Sequence, residues 1–205
     1  MTVKKDKKSY WNLPNALTIL RLLLVPVYVV LFSLGQKNAA LIVFLSACLT
    51  DLLDGQIARR CNQITDFGKL MDPLADKIMV LTTMISMTIG NPPHILPVIP
   101  WPAVAILLAK EAVMVWGGLK LYKNGIVTYS SLIGKAAHTV FIGALVLSFF
   151  HEELGAALPS WPIAPDVLLI WIAVALTLCA LVFYVRQGLH RAQEMGVIEK
   201  RSKKH

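Results

Sequence analysis

Apolar positions along this chain come in long blocks separated by short polar punctuation. Six blocks fall near residues 13–34, 39–59, 68–90, 96–121, 128–150 and 165–186. Each holds about the 20 residues that an α-helix needs to cross roughly 30 Å of hydrocarbon. The breaks carry the expected chemistry. Gly35 follows the first block, Asn91-Pro92-Pro93 the third and Asn124-Gly125 the fourth, while Pro159, Pro162 and Pro165 precede the sixth. Asn12 and Pro14 suit the start of the first helix, and Trp11, Trp101, Trp161 and Tyr184 fall near block edges, where amphipathic rings settle at a lipid interface. The pattern predicts an all-α polytopic membrane protein with six transmembrane helices. A basic segment (1–12) precedes a membrane domain (13–186), and a basic tail (187–205) follows it.

Composition agrees. Of the 205 residues, 56% are apolar and only 16% charged, where a soluble domain carries roughly a quarter. The net charge of +8 raises the question of a nucleic-acid partner. However, the basic residues gather at the termini (Lys4, Lys5, Lys7 and Lys8; Arg191, Lys200, Arg201, Lys203 and Lys204) without interleaved aromatics or a nucleic-acid motif. Anionic lipid headgroups are the better counterpart. Arg59, Arg60, Lys69, Lys120 and Lys123 fall on the side of the termini. The opposite connections hold Lys37 but otherwise no Lys or Arg, which places both termini in the cytoplasm by the positive-inside rule. Arg21 interrupts the first apolar run, which continues to Leu34 without a clean cleavage site, so that run reads as a retained helix. Three cysteines and five histidines show neither disulfide nor metal-ligand spacing.

One stretch departs from this economy of charge: TDLLDGQIARRCNQITDFGKLMDPLADKIM, Thr50 to Met79, with five aspartates. Asp51 and Asp54 are three apart near the end of the second helix, and Asp72 and Asp76 four apart near the start of the third, so each pair shares a face. A short connection makes these helices antiparallel neighbours. At about 1.5 Å per residue, Asp54 and Asp72 lie roughly 6–7 Å inside the helix ends, and Asp51 and Asp76 roughly 12 Å. Four like charges so arranged would repel unless a hard divalent cation joined them, and oxygen-only ligands suit Mg²⁺ or Mn²⁺. Gly55, Ala58 and Gly68 allow close approach, and Arg59 offers a planar fork to phosphate oxygens. Ion pairs with Lys77, Arg59 or Arg60 would give the acids a structural role instead, but four acids exceed those cations. Intramembrane ionisable groups are functional by default.

At these residues the chain resembles the CDP-alcohol phosphatidyltransferase family, whose signature D-x2-D-G-x2-A-R-x8-G-x3-D-x3-D is complete in Asp51, Asp54, Gly55, Ala58, Arg59, Gly68, Asp72 and Asp76. The stretches NLPNALTILRLLLVP, GKLMDPLADKIM and SLIGK extend the likeness over roughly residues 12 to 140. The resemblance implies a six-helix membrane fold, a homodimer, and a polar cavity open to the cytoplasm. It also implies two divalent ions, one on Asp51, Asp54 and Asp72 and the other on Asp51, Asp72 and Asp76. Gly55, Arg59 and Thr65 occupy positions that contact the CDP part of the donor, with Asn15 and Thr18 reaching the same nucleotide. The implied reaction passes a phosphatidyl group from CDP-diacylglycerol to an alcohol, glycerol 3-phosphate first among them, with Asp76 as general base and CMP as leaving group.

A phosphorylated acceptor needs cations, and Lys135 and Lys110 are the candidates because both stand in otherwise apolar helices. Two departures keep other acceptors open, namely phosphatidylglycerol, inositol phosphate and serine. Lys110-Glu111 replaces the usual Arg-Glu, and AAHT follows Lys135 where a second lysine would be typical. A cation-coupled transporter is a reading from another class, but its ion site would lie near the midplane between repeated halves. Here the acids cluster toward one edge and no repeat is evident. A catalytically inactive membrane partner is opposed by the intact signature.

Overall fold

The structure is a computed structural model that describes residues 13–61, 66–123 and 132–194, with the side chains of 15–51, 71, 74–119 and 132–191. Every regular element among them is helical. The order is α1 (Leu13–Ser33), α2 (Lys37–Cys61), α3 (Asp66–Ile89), α4 (Trp101–Lys123), α5 (Leu132–Ser148), α6 (His151–Ala157) and α7 (Pro165–Glu194). The chain divides into two compact units, one ending at Pro97 and the other beginning at Val98.

In the first unit α1 packs against both α2 and α3, and α2 against α3. The turn from α1 to α2 is set by Gly35, at φ +73°. Its N–H reaches the carbonyl of Phe32, and the next N–H, of Gln36, reaches back to Leu31. This Schellman arrangement is the helix stop that a left-handed glycine permits. Asn91, just beyond α3, closes the same end of α1 by donating its side-chain amide to the carbonyls of Phe32 (3.1 Å) and Ser33 (2.9 Å). The core is a seam of Tyr28 and Phe32 from α1, Ala40, Phe44 and Ala47 from α2, and Ala75, Met79, Met84 and Met87 from α3. Alanines in this seam let the backbones approach, and methionines fill the irregular gaps between them.

In the second unit α5 and α4 each pack along α7. Ala137, Phe141, Ala144 and Leu145 of α5 are buried, as are Ile170, Ala173 and Val174 of α7. Two helix ends here add detail to the apolar blocks. The fifth block ends near residue 150, and α5 stops at Ser148, where the chain turns by 77° into α6. The reason lies in HEELGAA itself. Glu152 and Glu153 in its first turn favour the positive end of a short helix dipole. The preceding His151 is tied through Nδ1 to Asp166 Oδ2 at 2.8 Å. At the other end, α7 continues past the edge of the sixth apolar block near 186 to Glu194, because the polar stretch that follows is rich in good helix formers such as Arg, Gln and Leu.

Three helical segments among the described residues are long and apolar enough to cross a membrane: Asn15–Ser33, Trp101–Leu119 and Pro165–Arg191. The bent pair α5–α6 makes a fourth if taken as one span. Large apolar side chains stand exposed on these helices, including Leu23 and Val30 on α1, Trp116 and Leu119 on α4 and Phe183 on α7. Bare hydrocarbon on outward faces is what lipid requires and water penalises. The protein is a membrane protein.

Candidate active site

The seam of the first unit is apolar along most of its length and polar at one end. On α2 the buried positions Ala40, Phe44 and Ala47 lead, at the same helical spacing, to Asp51. On α3 the buried Met87, Thr83 and Met79 lead back to Asp76 in the same way. On α1 the buried Phe32 and Tyr28 give way to Arg21, Thr18 and Asn15, three polar side chains at successive intervals of three residues. The start of α1, the end of α2 and the start of α3 thus contribute their polar residues to one end of a three-helix seam.

Arg21 makes the decisive contact. Its side chain is only 1% exposed, and one terminal nitrogen stands 3.0 Å from Asp51 Oδ1, while the Asp51 side chain remains 39% exposed. Cys48, one turn before Asp51, lies within electrostatic reach of Asp76, Asp51 and Arg21 together, so charged groups from all three helices share one neighbourhood. Lys77, Arg59 and Arg60 are the cations that sequence proximity offers the acids, whereas Arg21, which contacts Asp51, is remote from it in sequence. Its signal was present: an arginine inside an apolar run, three residues beyond Thr18 and six beyond Asn15.

Asn15, Thr18, Asp51 and Asp76 therefore stand at the polar end. Asp54, Gly55, Arg59 and Asp72 lie on the described helices, but their side chains fall outside the described residues, as does Thr65 altogether. Lys110 and Lys135 belong to the second unit. The Lys110 ammonium is engaged by the carboxylate of its neighbour Glu111, whereas Lys135 is exposed. Asp51 and Asp76 supply hard oxygen donors from adjacent helices, the chemistry that Mg²⁺ and Mn²⁺ prefer over soft metals. No group of three or more His, Cys, Asp or Glu side chains forms a metal cluster among the described residues alone. A complete ligand set at this place would draw on Asp54 and Asp72, one turn from Asp51 and Asp76 on the same two helices.

The family model described as CDP-alcohol phosphatidyltransferase matches residues 11–179. A CDP-diacylglycerol–glycerol-3-phosphate 3-phosphatidyltransferase of Aquifex aeolicus is 34% identical over 139 residues, covering 67% of this chain and 74% of the relative. The enzyme of the same description from Bacillus subtilis is 30% identical over 185 residues, covering 82% of this chain and 90% of the relative. A probable phosphatidylglycerophosphate synthase of Mycobacterium tuberculosis is also 30% identical over 185 residues, with 87% and 82% covered.

Proposed function

The chain belongs to the CDP-alcohol phosphatidyltransferase family, and on that premise we propose that it transfers a phosphatidyl group from CDP-diacylglycerol to glycerol 3-phosphate, giving phosphatidylglycerol phosphate and CMP. The observation that carries this reading is the polar end of the first unit, where Asp51 and Asp76 stand on adjoining helices inside an otherwise apolar protein. Relatives that span most of this chain and are named for that reaction support the choice of acceptor.

In this reading Asp51, Asp54, Asp72 and Asp76 hold two divalent ions, Mg²⁺ or Mn²⁺. When bound, such ions neutralise charge on the donor diphosphate and on the departing CMP. Gly55 leaves room for the nucleotide, Arg59 presents its fork to phosphate oxygens, and Thr65, Asn15 and Thr18 contact the CDP portion. Asn15 and Thr18 are buried on the α1 face that carries Arg21. Asp76 takes the proton from the acceptor hydroxyl. That oxygen then bonds to the lipid-side phosphorus as the bond from that phosphorus to CMP breaks. Of the two acceptor-phosphate candidates, Lys135 is preferred, because Glu111 already occupies the head of Lys110. The fold in this reading has six spans, with α2 and α3 crossing despite their acids. The termini and the active site face the cytoplasm, and two copies of the chain associate as a homodimer.

Membranes containing the protein, supplied with CDP-diacylglycerol and a divalent cation, are expected to release CMP only when glycerol 3-phosphate is added. Release with phosphatidylglycerol or inositol phosphate instead would reassign the acceptor within the same chemistry. Absence of release with every alcohol would refute the reaction itself.

A further inference from the structure

Arg21 is an expensive residue in its position. A guanidinium with five N–H donors is 1% exposed inside α1, a helix long and apolar enough to span a bilayer. A charge buried to that degree loses hydration that ion pairing rarely restores in full, and apolar substitutes often hold helices together as well or better. Helix packing alone is therefore a weak reason for an arginine here, since Phe44, Ala47 and Met79 already supply apolar contacts along the seam. What an arginine adds is direction. Its nitrogen meets Asp51 through Oδ1, and the carboxylate is left 39% exposed, so the group is held on one side and open on another.

We propose that Arg21 is the positioning residue of Asp51, fixing that carboxylate so that its remaining coordination capacity is presented to a divalent cation. The inference rests on the proposed function, in which Asp51 is a metal ligand. Arg21 touches neither substrate nor cation in this role. It acts through Asp51 by the ion pair, as the outer partners of metal ligands do when they set a ligand's orientation. Its fixed charge also offsets one of the clustered carboxylates without occupying the face that a cation needs. A buried arginine suits this task better than a lysine, because its charge persists in an apolar setting and its planar head is more rigid than an ammonium on a flexible stem.

The test is direct Mn²⁺ binding to the purified full-length chain in detergent, read from the loss of the free-ion electron paramagnetic resonance signal. Wild type is compared with Arg21→Gln, Arg21→Lys and Asp51→Asn. Arg21→Gln is expected to weaken Mn²⁺ binding about 10–100-fold. Arg21→Lys should recover part of the loss, and the Mn²⁺ concentration that half-activates turnover should shift in parallel while the KM for the acceptor stays in place. Binding to Arg21→Gln that matches wild type would overturn the inference. Should that variant not fold, wild-type affinity in Arg21→Lys would overturn it equally, because the planar head is then dispensable. Failure of the wild type to bind Mn²⁺ at all would sink the metal site of the proposed function and this inference with it. Binding in the wild type that depends on Asp51 but not on Arg21 would sink this inference alone.

Discussion

Two contacts that join an acid to a basic side chain on a separate helix are built in opposite senses. At the polar end of the first unit the cation is buried and the acid is accessible: Arg21 is 1% exposed and Asp51 39%. In the second unit the acid is buried and its partner accessible, with Asp166 at 0% and His151 at 31%. An acid that faces outward on a buried support can still accept a ligand. An acid sealed beneath its partner cannot, and Asp166 Oδ1 has no hydrogen-bond partner among the described residues. The first pair suits a working site, and the second suits a clasp that holds the bend between α5 and α6 onto the start of α7. Burial of the acid, more than its presence in an apolar segment, separates the two.

Breaking each pair should have effects of different kind. The largest expected effect is on turnover. Asp76→Asn removes the proposed base, and CMP release should fall by about 10²–10⁴-fold, with expression and thermal unfolding close to wild type. His151→Ala should leave CMP release unchanged. Wild-type activity in Asp76→Asn would remove the assigned base and with it the functional side of the contrast.

The next effect is on stability. His151→Ala strands a fully buried carboxylate and should cost about 1–3 kcal/mol in denaturant unfolding in detergent. Replacing both members, as in His151→Leu with Asp166→Leu, should return much of that loss, because an apolar pair leaves nothing unsatisfied. The double replacement is the sharper measurement. If it is no better than the single one, Asp166 does more than close a clasp.

Gly35→Ala should come next. Its φ of +73° is a left-handed conformation, and an added Cβ would stand 2.7 Å from His94 Cβ, so about 1–2 kcal/mol of strain is expected before any contact is relieved. Adding His94→Ala removes Cγ and Cδ2 from the clash but leaves the contact with Cβ and the backbone penalty, so recovery should be partial in the same unfolding measurement.

These features were legible in the sequence to unequal degrees. Helix positions followed from apolar runs and their glycine and proline stops, because lipid forces backbone hydrogen bonds inside each segment and leaves few alternatives to a helix. The aspartates stood out for the same reason: charge is conspicuous against hydrocarbon. What the sequence did not disclose was pairing across helices. Arg21 was visible as an interruption of α1, but that it meets Asp51 depends on the rotation of α1 against α2, which no local spacing encodes. The bend before α6 was hidden because Phe149 and Phe150 continue the apolar run of α5 and mask its end. No local pattern marks Asp166 as buried, and only the fold brings His151 to it across 15 residues of sequence.

The smallest expected effect tests whether the first unit is itself divided into a working end and a holding end. Asn91 sits at the apolar end of the seam, where its amide donates to Phe32 and Ser33 and closes the last turn of α1. Asn91→Ala should therefore lower stability by about 0.5–1.5 kcal/mol, since the freed carbonyls at a helix end can still find water in part. Asn91→Asp should cost more than Asn91→Ala, because a carboxylate offers no donor and meets the carbonyl end of the helix dipole with like charge. Neither change should alter the KM for CDP-diacylglycerol or the Mn²⁺ dependence, since neither reaches the end of the seam that holds Arg21 and Asp51. A shift in Mn²⁺ dependence on Asn91→Ala would mean that α1 transmits the loosening of one end to the other, and the division between the two ends of the seam would have to be abandoned.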